Sequence, residues 1–419
     1  MSHSDGLKTV SVVGLGYIGL PTASVLAARG VDVVGVDINA TVVERLNRGL
    51  AHFAEPGLDA VVTEAVASGR LRAVTAPVKA DAFIIAVPTP FTTDRTADLS
   101  YVESATRAVA RVLEPGNLVI LESTCPVGTT RVVCAWIAEE RPDLVVPTDE
   151  HPGDIDVAYC PERILPGRMV DELTSNDRII GGINERSSAR ACDLYGVFVS
   201  GALHTTTSKV AEMVKLAENA YRDVNIAFAN ELAQVCASFG VDVWSAISLA
   251  NHHPRVNILQ PGPGVGGHCI GVDPWFLINH TDESADLMRT ARAVNDAQPP
   301  RVVAHVRAAT AGLEAPVVAC LGLTYKPDVD DLRESPAVSI VGALAADGMT
   351  IRVVDPHVHE LPAALDTGTT TLVADAAERA IAEADVVVVL VAHTAFRALA
   401  GRLAEARSVI DTVGLLQRR

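Results

Sequence analysis

A glycine-rich segment between residues 261 and 274 carries the side chains best suited to covalent chemistry. It reads Pro-Gly-Pro-Gly-Val-Gly-Gly-His-Cys-Ile-Gly-Val-Asp-Pro, so Cys269 stands in a turn and Asp273 follows four residues later. Glycine lets the backbone approach a ligand, a thiolate is a strong nucleophile, and a carboxylate can handle a proton or a water. Taken alone, a cysteine on such a loop is more often a small buried side chain than a nucleophile, so the rest of the chain must decide.

The amino-terminal segment predicts a turn that binds a dinucleotide. A buried strand over residues 8–13 runs into Gly-Leu-Gly-Tyr-Ile-Gly, a helix follows, and a second strand ends at Asp37. The glycines let a pyrophosphate approach the amino end of the helix, and the carboxylate would meet the ribose hydroxyls and disfavour a phosphate there. The alternative is a doubly wound domain that binds no nucleotide. We predict that NAD, in preference to NADP, is bound by Gly14, Gly16, Tyr17, Ile18, Gly19 and Asp37.

Composition limits the class of protein. The chain has 419 residues, 49% of them hydrophobic, which suits two or three domains. No apolar run approaches the roughly 20 residues of a membrane span, and the polar start leaves no room for a signal peptide, so we expect a cytoplasmic protein with no membrane partner. The seven cysteines form no CxxC pair, which favours reduced thiols. The net charge of −17 argues against nucleic acid as a partner.

Strand and helix signals divide the chain into three parts. Up to about residue 200, apolar strands alternate with helical stretches, which is typical of a parallel sheet. Residues 208–239 have apolar positions at helical spacing over an unusual length. Beyond residue 300 the strand, turn, helix and strand recur. We predict an α/β protein with two Rossmann-like, doubly wound domains, over residues 1–200 and 301–419, joined by a long central helix and a helical middle domain over residues 201–300.

Polar side chains follow several of the predicted strands. Thr89 comes after the strand at 82–87, and Ser123 and Thr124 come after the strand at 118–121. Ligands of doubly wound folds bind at the carboxyl ends of the strands, so these residues are predicted to face the cofactor.

The loop from residue 324 to residue 336 follows the first strand of the third part and is rich in charge. Its turn lacks the third glycine of the dinucleotide fingerprint. Lys326 and Arg333 could neutralise diphosphate oxygens. In isolation, a solvated loop with internal ion pairs is an equally good interpretation.

The ordered motifs together resemble the UDP-glucose/GDP-mannose dehydrogenase family over nearly the whole chain. The cysteine loop with Asp273-Pro274-Trp275, and the segment from Cys160 to Gly167, are similar to the branch that acts on UDP-N-acetyl-D-mannosamine, with Gly271 where that branch usually has alanine. The motifs that carry the resemblance are the Gly14 turn, Ser123-Thr124, Cys160-Pro161-Glu162-Arg163, Lys215-Leu216-Ala217-Glu218-Asn219, Gly266-Gly267-His268-Cys269, Tyr325-Lys326-Pro327 and Arg333-Glu334-Ser335-Pro336.

This resemblance implies a four-electron oxidation of the sugar's carbon 6 from alcohol to carboxylate, with two NAD used in succession. Cys269 would hold the aldehyde as a thiohemiacetal, and water would hydrolyse the thioester that follows. Asp273 would accept protons or, with Thr124 and Glu162, position the water. Lys215 and Asn219, one helical turn apart, would stabilise the oxygen at carbon 6.

The resemblance also implies binding contacts and an assembly. Arg255 matches a family arginine that reaches the substrate from a neighbouring subunit, so we expect a homodimer or a larger assembly of dimers. Arg333 is assigned to the cofactor. The residues assigned to the UDP-sugar are Glu162, Arg163, Lys215, Asn219, Arg255, Gly266, His268 and Lys326.

Other interpretations of the sequence stay open. UDP-N-acetylglucosamine differs from the mannosamine isomer only at carbon 2, so the sugar is not decided. A two-electron hydroxyacid dehydrogenase would share the first domain and the long helix but would have no use for Cys269. A non-catalytic protein that senses NAD would keep the glycine turn and lose Lys215, Cys269 and Asp273. No metal is predicted, because His252-His253 and His268 lack companions at ligand spacing.

Overall fold

The computed structural model describes residues 7–53, 55–92, 94–165, 167–267, 269–280, 284–373 and 376–417. The chain forms two compact units, the first ending at Ala217 and the second beginning at Glu218. Each unit has its own sheet of mainly parallel strands, which confirms the predicted α/β class with two Rossmann-like sheets. The division into three domains at residues 200 and 300 stays a prediction.

The first unit is built on an eight-stranded sheet. Its strands are β1 (Thr9–Val13), β2 (Asp32–Val36), β3 (Leu71–Val74), β4 (Ala82–Ile85), β5 (Leu118–Leu121), β6 (Asp156–Tyr159), β7 (Arg178–Gly182) and β8 (Leu203–Thr207). The spatial order is β3-β2-β1-β4-β5-β6-β7-β8. The order reverses between β1 and β4, which is where doubly wound sheets open a ligand crevice at their carboxyl edge.

Side chains of the central strands alternate between two hydrophobic cores, one on each face of this sheet. Ile84 lies in one core, whereas its neighbours Phe83 and Ile85 lie in the other. Because both faces are covered, these strands are continuously apolar rather than alternating in polarity. The helices of this unit are α1 (Gly19–Ala28), α2 (Ala40–Asn47), α3 (Leu58–Ala67), α4 (Ser100–Ala110), α5 (Thr129–Glu140), α6 (Met169–Ser175) and α7 (Glu185–Tyr195).

One pair of neighbours departs from the parallel arrangement expected for this sheet. Strand β7 runs antiparallel to β6, with Ala158 paired to Gly182, while β7 and β8 are parallel. Because β7 runs antiparallel to β6, it enters the sheet from the edge where β6 ended, and the described residues between the two strands include Glu162 and the short helix α6. A polar loop is thereby held at the edge where ligands of such folds bind.

Helix α8 (Ser208–Ser238) has 31 residues and confirms the predicted long helix. It ends in a Schellman motif, in which the Gly240 N–H donates to Ala237 O at 3.1 Å and the Val241 N–H donates to Cys236 O at 2.9 Å. Gly240 has the positive φ of 68° that this ending needs. The glycine therefore explains why the helical pattern stops where it does.

The second unit contains a helical region followed by a five-stranded parallel sheet. The helices α9 (Val243–Ala250), α10 (Asp273–Ile278), α11 (Asp286–Asp296) and α12 (Gln298–Ala309) come first. The rest comprises β9 (Val317–Leu321), α13 (Pro336–Ala346), β10 (Thr350–Val354), a 3-10 helix (Ala363–Leu365), β11 (Thr370–Leu372), α14 (Ala377–Glu383), β12 (Val386–Val389), a second 3-10 helix (Thr394–Leu399), α15 (Ala400–Glu405) and β13 (Val409–Asp411).

This second sheet has the order β11-β10-β9-β12-β13, with β9 at its centre. Residues of β9 and β12 are buried on both faces and divide between two cores, as in the first unit. Within the described ranges, no helix is long and apolar enough to cross a bilayer.

Candidate active site

The glycine turn of the first unit is shaped by close backbone packing and leaves open space beside its middle glycine. Gly14 has a φ of 92°, and a Cβ there would lie 2.6 Å from Ala86 O. A Cβ on Gly19 would lie 1.8 Å from Gly14 O, whereas one on Gly16 would meet no heavy atom of the described chain within 4 Å. The outer glycines thus serve the fold, and Gly16 leaves room for a ligand against the backbone.

The carboxylate of Asp37 closes this turn at the end of β2. Its Oδ2 accepts the Leu15 N–H at 3.0 Å and its Oδ1 accepts the Asn39 N–H at 2.9 Å. Each carboxylate oxygen offers about two acceptor directions, so both can still accept a hydroxyl. The side chain is only half buried. This geometry fits the ribose contact predicted from the sequence.

Tyr17 and Ile18 lie at the start of α1. Ile18 is the N-cap residue, and the first turn of α1 contains no acidic side chain, which leaves the amino end favourable for an anion. The Tyr17 ring packs against Phe53 with 4.4 Å between ring centroids. Phe53 was not singled out from the sequence, because nothing in its local pattern connects it to residue 17.

Hydroxyl side chains meet at the carboxyl ends of β4 and β5, which are adjacent strands. The Thr89 hydroxyl donates to Thr124 O at 2.6 Å, and the Ser123 hydroxyl donates to Val87 O at 2.7 Å. The structure therefore brings together the three residues that the sequence placed at this edge.

Glu162 lies in the loop after β6 and is almost fully buried. Its Oε2 accepts from Arg178 Nη1 at 2.5 Å, and its Oε1 accepts from the Arg163 N–H at 2.5 Å. Arg163 Nη1 in turn donates to Asp177 O at 3.2 Å. The backbone carbonyl oxygen of Glu162 accepts from Lys215 Nζ at 2.8 Å. In this conformation Glu162 orders the loop with its carboxylate and orients the lysine of α8 with its backbone.

A second buried carboxylate lies beside this ion pair and was missed by sequence reasoning. The Tyr195 hydroxyl donates to Glu122 Oε1 at 2.5 Å, and the Arg178 guanidinium lies 5.7 Å from the centre of the Tyr195 ring. Burial, together with the negative charge of Glu162, raises the pKa of Glu122 to about 7. Glu122 directly follows the apolar strand β5 and directly precedes Ser123, and that position was the only available signal.

In the second unit, Asn219 and Asp273 form a buried pair. Asn219 Nδ2 donates to Asp273 Oδ2 at 2.5 Å, and the two residues are 5% and 2% exposed. The Asp273 and Val272 N–H groups donate to Cys269 O at 2.9 and 3.0 Å. Half-buried Cys269 is thus joined through its carbonyl to the first turn of α10, which carries the carboxylate. His268, assigned to the substrate from the sequence, lies outside the described residues.

The glycines of the cysteine loop allow it to pack against the charged loop that follows β9. A Cβ on Gly266 would lie 2.6 Å from Glu334 O, and one on Gly267 would lie 2.7 Å from Tyr325 Cε2. The Gly267 N–H also donates to Arg333 O at 3.2 Å. The two loops that the sequence assigned to catalysis and to substrate binding therefore contact each other.

The cations assigned to ligand binding in the second unit have different environments. Arg333 donates from Nη2 to Asp331 Oδ2 at 2.6 Å and from Nε to Asp331 Oδ1 at 2.9 Å, an internal ion pair of the kind that the sequence left open. Lys326 Nζ lies 5.6 Å from the centre of the Tyr325 ring. Arg255, which follows α9, is exposed.

Comparison with known proteins places these features in a family. The chain matches the NAD binding domain of the UDP-glucose/GDP-mannose dehydrogenase family over residues 8–199, its central domain over 209–297 and its UDP binding domain over 319–418. The chain belongs to this family. The resemblance inferred from the motifs is thereby confirmed, and the cofactor prediction agrees with the NAD binding domain.

Relatives within the family are similar over almost their full length. The chain is 54% identical to the NDP-N-acetyl-D-galactosaminuronic acid dehydrogenase of Ralstonia nicotianae (strain ATCC BAA-1114 / GMI1000) over 410 residues, 97% of this chain and 96% of the relative. It is 52% identical to the UDP-N-acetyl-D-mannosamine dehydrogenase of Escherichia coli (strain K12) over 418 residues, 97% and 99% of the two chains. The solved structure of the UDP-D-ManNAc dehydrogenase of Pyrococcus horikoshii is 37% identical, with a TM-score of 0.89 over 98% of this chain and 96% of that chain.

As a member of this family, the protein is an NAD-dependent nucleotide-sugar dehydrogenase. The two-electron hydroxyacid dehydrogenase and the non-catalytic NAD sensor, left open by the sequence, are not needed to explain its motifs. The part of the second unit built on the five-stranded sheet corresponds to the UDP binding domain.

Proposed function

We propose that this protein oxidises carbon 6 of UDP-N-acetyl-D-mannosamine from the alcohol to the carboxylate, in two successive two-electron steps. The observation that carries the proposal is the arrangement in the second unit, where the peptide of Cys269 is hydrogen-bonded to the turn that presents Asp273, and Asp273 is paired with Asn219. A two-electron oxidation of an alcohol needs no such thiol.

NAD bound at the Gly14 turn supplies the hydride acceptor for both oxidations, one molecule after the other. Cys269 adds through sulfur to the aldehyde carbon formed first, and the resulting thiohemiacetal loses the second hydride to become a thioester. Water then cleaves the carbon–sulfur bond, which releases the carboxylate and regenerates the thiol. Covalent attachment prevents escape of the aldehyde between the two oxidations.

The remaining catalytic residues manage charge and protons in this proposal. Lys215 and Asn219 stabilise the oxygen at carbon 6 when it is negatively charged. Asp273 accepts protons and orients the hydrolytic water, with contributions from Thr124 and Glu162. Because both oxygens of Glu162 are already hydrogen-bonded to Arg178 and to a backbone N–H, its part is to order the water's surroundings rather than to take the proton.

Binding contacts complete the assignment. Tyr17, Ile18, Thr89, Ser123 and Arg333 contact the cofactor. Arg163, Gly266, His268 and Lys326 contact the UDP-sugar. Arg255 is supplied to the substrate by a neighbouring subunit, so the active assembly is a homodimer or is built from dimers.

A second substrate has specific support. The relative from Ralstonia nicotianae, named an NDP-N-acetyl-D-galactosaminuronic acid dehydrogenase, is as similar to this chain as the UDP-N-acetyl-D-mannosamine dehydrogenases are. A UDP-N-acetylgalactosamine substrate would undergo the same chemistry at carbon 6.

The test is to supply the purified protein with NAD and one sugar at a time, and to count NADH formed per sugar consumed. The panel contains UDP-N-acetylmannosamine, UDP-N-acetylglucosamine, UDP-N-acetylgalactosamine and UDP-glucose. We expect two NADH per sugar and the highest kcat/KM with the mannosamine derivative. One NADH per sugar would contradict the four-electron chemistry, and a higher kcat/KM with the galactosamine derivative would replace the proposed substrate.

A further inference from the structure

The turn after β9 repeats the geometry of the cofactor turn after β1. Gly14 and Gly322 both have a φ of 92°. Each donates its N–H at 2.8 Å to the last residue of the neighbouring strand, Val36 O in the first unit and Val354 O in the second. The second unit thus contains a backbone copy of a nucleotide-binding turn.

The carboxylate that follows is also repeated. Asp37 Oδ2 accepts the Leu15 N–H at 3.0 Å, and Asp355 Oδ2 accepts the Leu323 N–H at 2.7 Å. The other oxygen of Asp355 accepts the His357 N–H at 2.8 Å, just as Asp37 Oδ1 accepts from the second residue after it. Asp355 therefore stands where a dinucleotide-binding domain presents its ribose carboxylate.

The two carboxylates differ in what covers them. Asp37 is half exposed, whereas Asp355 is 1% exposed and the His393 ring, which is 0% exposed, lies against it. His393 Nε2 is 3.1 Å from Asp355 Oδ2 and 3.2 Å from the Thr324 hydroxyl. Although burial raises the pKa of Asp355, the hydrogen bond from His393 and those from the backbone lower it overall, so the carboxylate is ionised. An imidazole donor takes the place of a ribose hydroxyl.

The second nitrogen of the same ring holds the loop that carries Lys326. His393 Nδ1 accepts the Asp328 N–H at 3.0 Å, which assigns the proton of the neutral ring to Nε2. Asp328 has a φ of 58°, a left-handed conformation that non-glycine residues adopt only when their surroundings enforce it. Its carboxylate accepts the Thr394 N–H at 2.9 Å and the Thr394 hydroxyl at 2.6 Å. Residues 393 and 394 therefore hydrogen-bond to both the backbone and the carboxylate of Asp328, and we call these contacts the grip on Asp328.

A metal site is the competing interpretation of these side chains. Asp328, His357 and His393 have ligand atoms within 4.8 Å of one another. However, the single in-plane lone pair of His393 Nδ1 already accepts a backbone N–H, so the ring cannot also bind an ion there without releasing Asp328. The two remaining ligands are too few for a structural transition-metal site.

We propose that His393 is a positioning residue, which fills the ribose position of the second nucleotide-binding turn and holds the 324–328 turn so that Lys326 meets the diphosphate of the UDP-sugar. The function of the copied turn has thereby changed from binding a dinucleotide to presenting a cation. The part of this inference that concerns the diphosphate rests on the proposed role of Lys326 in binding the UDP-sugar. The hydrogen bonds that hold Asp328 do not depend on that role.

The grip is tested without any ligand by hydrogen exchange of the backbone amides of residues 324–328 in the full chain. His393→Leu removes both ring nitrogens, whereas His393→Gln keeps one acceptor and one donor. We expect the Asp328 amide to exchange at least tenfold faster in the leucine variant and within threefold of wild type in the glutamine variant. His357→Ala is the matched control and should leave the rate unchanged.

The consequence for binding is tested by calorimetric titration of the same proteins with UDP and, separately, with NAD. His393→Leu should weaken UDP binding about tenfold, as should Lys326→Ala, and His393→Gln should restore it, with NAD affinity unchanged in all. If Lys326→Ala has no effect on UDP, the proposed role of the lysine fails while the exchange experiment still judges the grip. Unchanged exchange and unchanged UDP affinity in His393→Leu would overturn the positioning role.

Two further measurements keep the proposal open to refutation. Should His393→Leu fold poorly, Thr394→Val removes only the hydroxyl on the Asp328 carboxylate, and it should raise the exchange rate of that amide by a smaller factor. Titration of wild type with Zn²⁺ should show no binding that His357→Ala abolishes. Stoichiometric Zn²⁺ binding lost in both His357→Ala and His393→Leu would replace the positioning role with a metal site.

Discussion

At the residue scale, the chemistry of each carboxylate in this protein depends on which groups satisfy its oxygens. Asp37 accepts two backbone N–H groups and remains half exposed, so it is available to a ligand. Asp355 accepts backbone N–H groups at the two equivalent positions, but His393 covers it, so it stabilises the fold instead of facing a ligand. Asp273 is buried against Asn219, which can fix the direction of its second oxygen. The three aspartates thus differ in exposure and in their hydrogen-bond partners.

Replacement of the nucleophile tests the covalent mechanism. Cys269→Ser should lower the rate of acid formation by about 10³-fold or more, because a serine hydroxyl is not ionised at neutral pH and its ester forms less readily than a thioester. Affinity for the sugar nucleotide should stay within about threefold, since most contacts are unchanged. Cys192→Ser, at another half-buried free thiol, is the control and should keep normal turnover. Normal acid production by Cys269→Ser would exclude a covalent thioester.

The charge of Asp37 should set the preference for NAD. Asp37→Asn keeps an acceptor for the Leu15 N–H but removes the negative charge, so it isolates electrostatics from the shape of the turn. We expect the ratio of kcat/KM for NAD to that for NADP to fall roughly 10- to 150-fold, which corresponds to about 1.5–3 kcal/mol. Asp37→Ala should also reduce stability, because a backbone donor loses its partner. Wild-type protein that uses both cofactors equally would contradict the assignment.

At the scale of elements, the loops of the second unit that carry the candidate site residues contact one another. The cysteine loop packs on the loop after β9, which is gripped in turn by the segment after β12. Helix α8 also contributes, since Asn230 Oδ1 accepts the Gly262 N–H at 2.9 Å and Asn230 Nδ2 donates to Asn295. These contacts join segments far apart in sequence.

The fit between the two loops can be tested with a matched pair of glycine variants. A Cβ on Gly266 would lie 2.6 Å from both Glu334 O and Pro336 Cδ, whereas one on Gly271 would have its nearest atom at 3.5 Å. Gly266→Ala should therefore lower the free energy of unfolding by about 1–3 kcal/mol, as overpacking does. Gly271→Ala should stay within about 0.5 kcal/mol. Equal midpoints of denaturant unfolding for the two variants would show that the two loops are not tightly packed at Gly266.

The buried carboxyl group of Glu122, which is hydrogen-bonded to Tyr195, should make the free energy of unfolding depend on pH. The pKa of Glu122 is raised to about 7 by burial and by Glu162, well above its value in the unfolded chain. The native state therefore holds this proton more tightly, and its contribution to stability is complete below about pH 4.5 and lost as pH rises through 7. At about 1.4 kcal/mol per pKa unit, the loss is on the order of 3 kcal/mol.

Glu122→Gln tests this pH-dependent contribution to stability, because an amide stays neutral and keeps an acceptor for the Tyr195 hydroxyl. Urea unfolding between pH 4.5 and 8 should show wild type losing stability relative to the glutamine variant as pH rises. Parallel curves for the two proteins would mean that Glu122 does not hold its proton in the native state.

At the scale of the whole molecule, α8 leaves an apolar stripe uncovered. Tyr221, Phe228 and Val235, spaced seven residues apart, are 65%, 55% and 45% exposed, and Phe239 just beyond the helix is 78% exposed. A single chain seldom leaves so many large apolar side chains in water along one helix face. This pattern supports the proposal that the active assembly is a homodimer or is built from dimers.

Subunit mixing tests whether Arg255 acts across such an interface. Arg255→Ala and Cys269→Ser should each be inactive alone. In a mixed dimer, one site would combine the intact thiol of one chain with the intact arginine of the other, so about half of the wild-type activity per mixed dimer should return. Recovery should require subunit exchange, which can be blocked by cross-linking each parent before mixing. A fully active monomer in solution would remove the claim.

The sequence by itself determined the α/β class, the long helix, the cofactor turn and the family, because each depends on local patterns. Glycine spacing, apolar periodicity and short motifs are read within a few residues of one another, and physical constraints on turns and helices act over the same range. Gly14, Gly19 and Asp37 could be assigned for this reason.

Only the tertiary structure decided which distant side chains meet. Glu122 and Tyr195 are 73 residues apart and His393 and Asp328 are 65 apart, so no periodic pattern connects them. The antiparallel entry of β7 likewise depends on where the loop after β6 is held, which strand propensity does not encode. The contacts of Glu162 with Arg178 and of Asp355 with His393 arise when strands and loops converge at the carboxyl edges of the two sheets, and that convergence is a property of the folded chain.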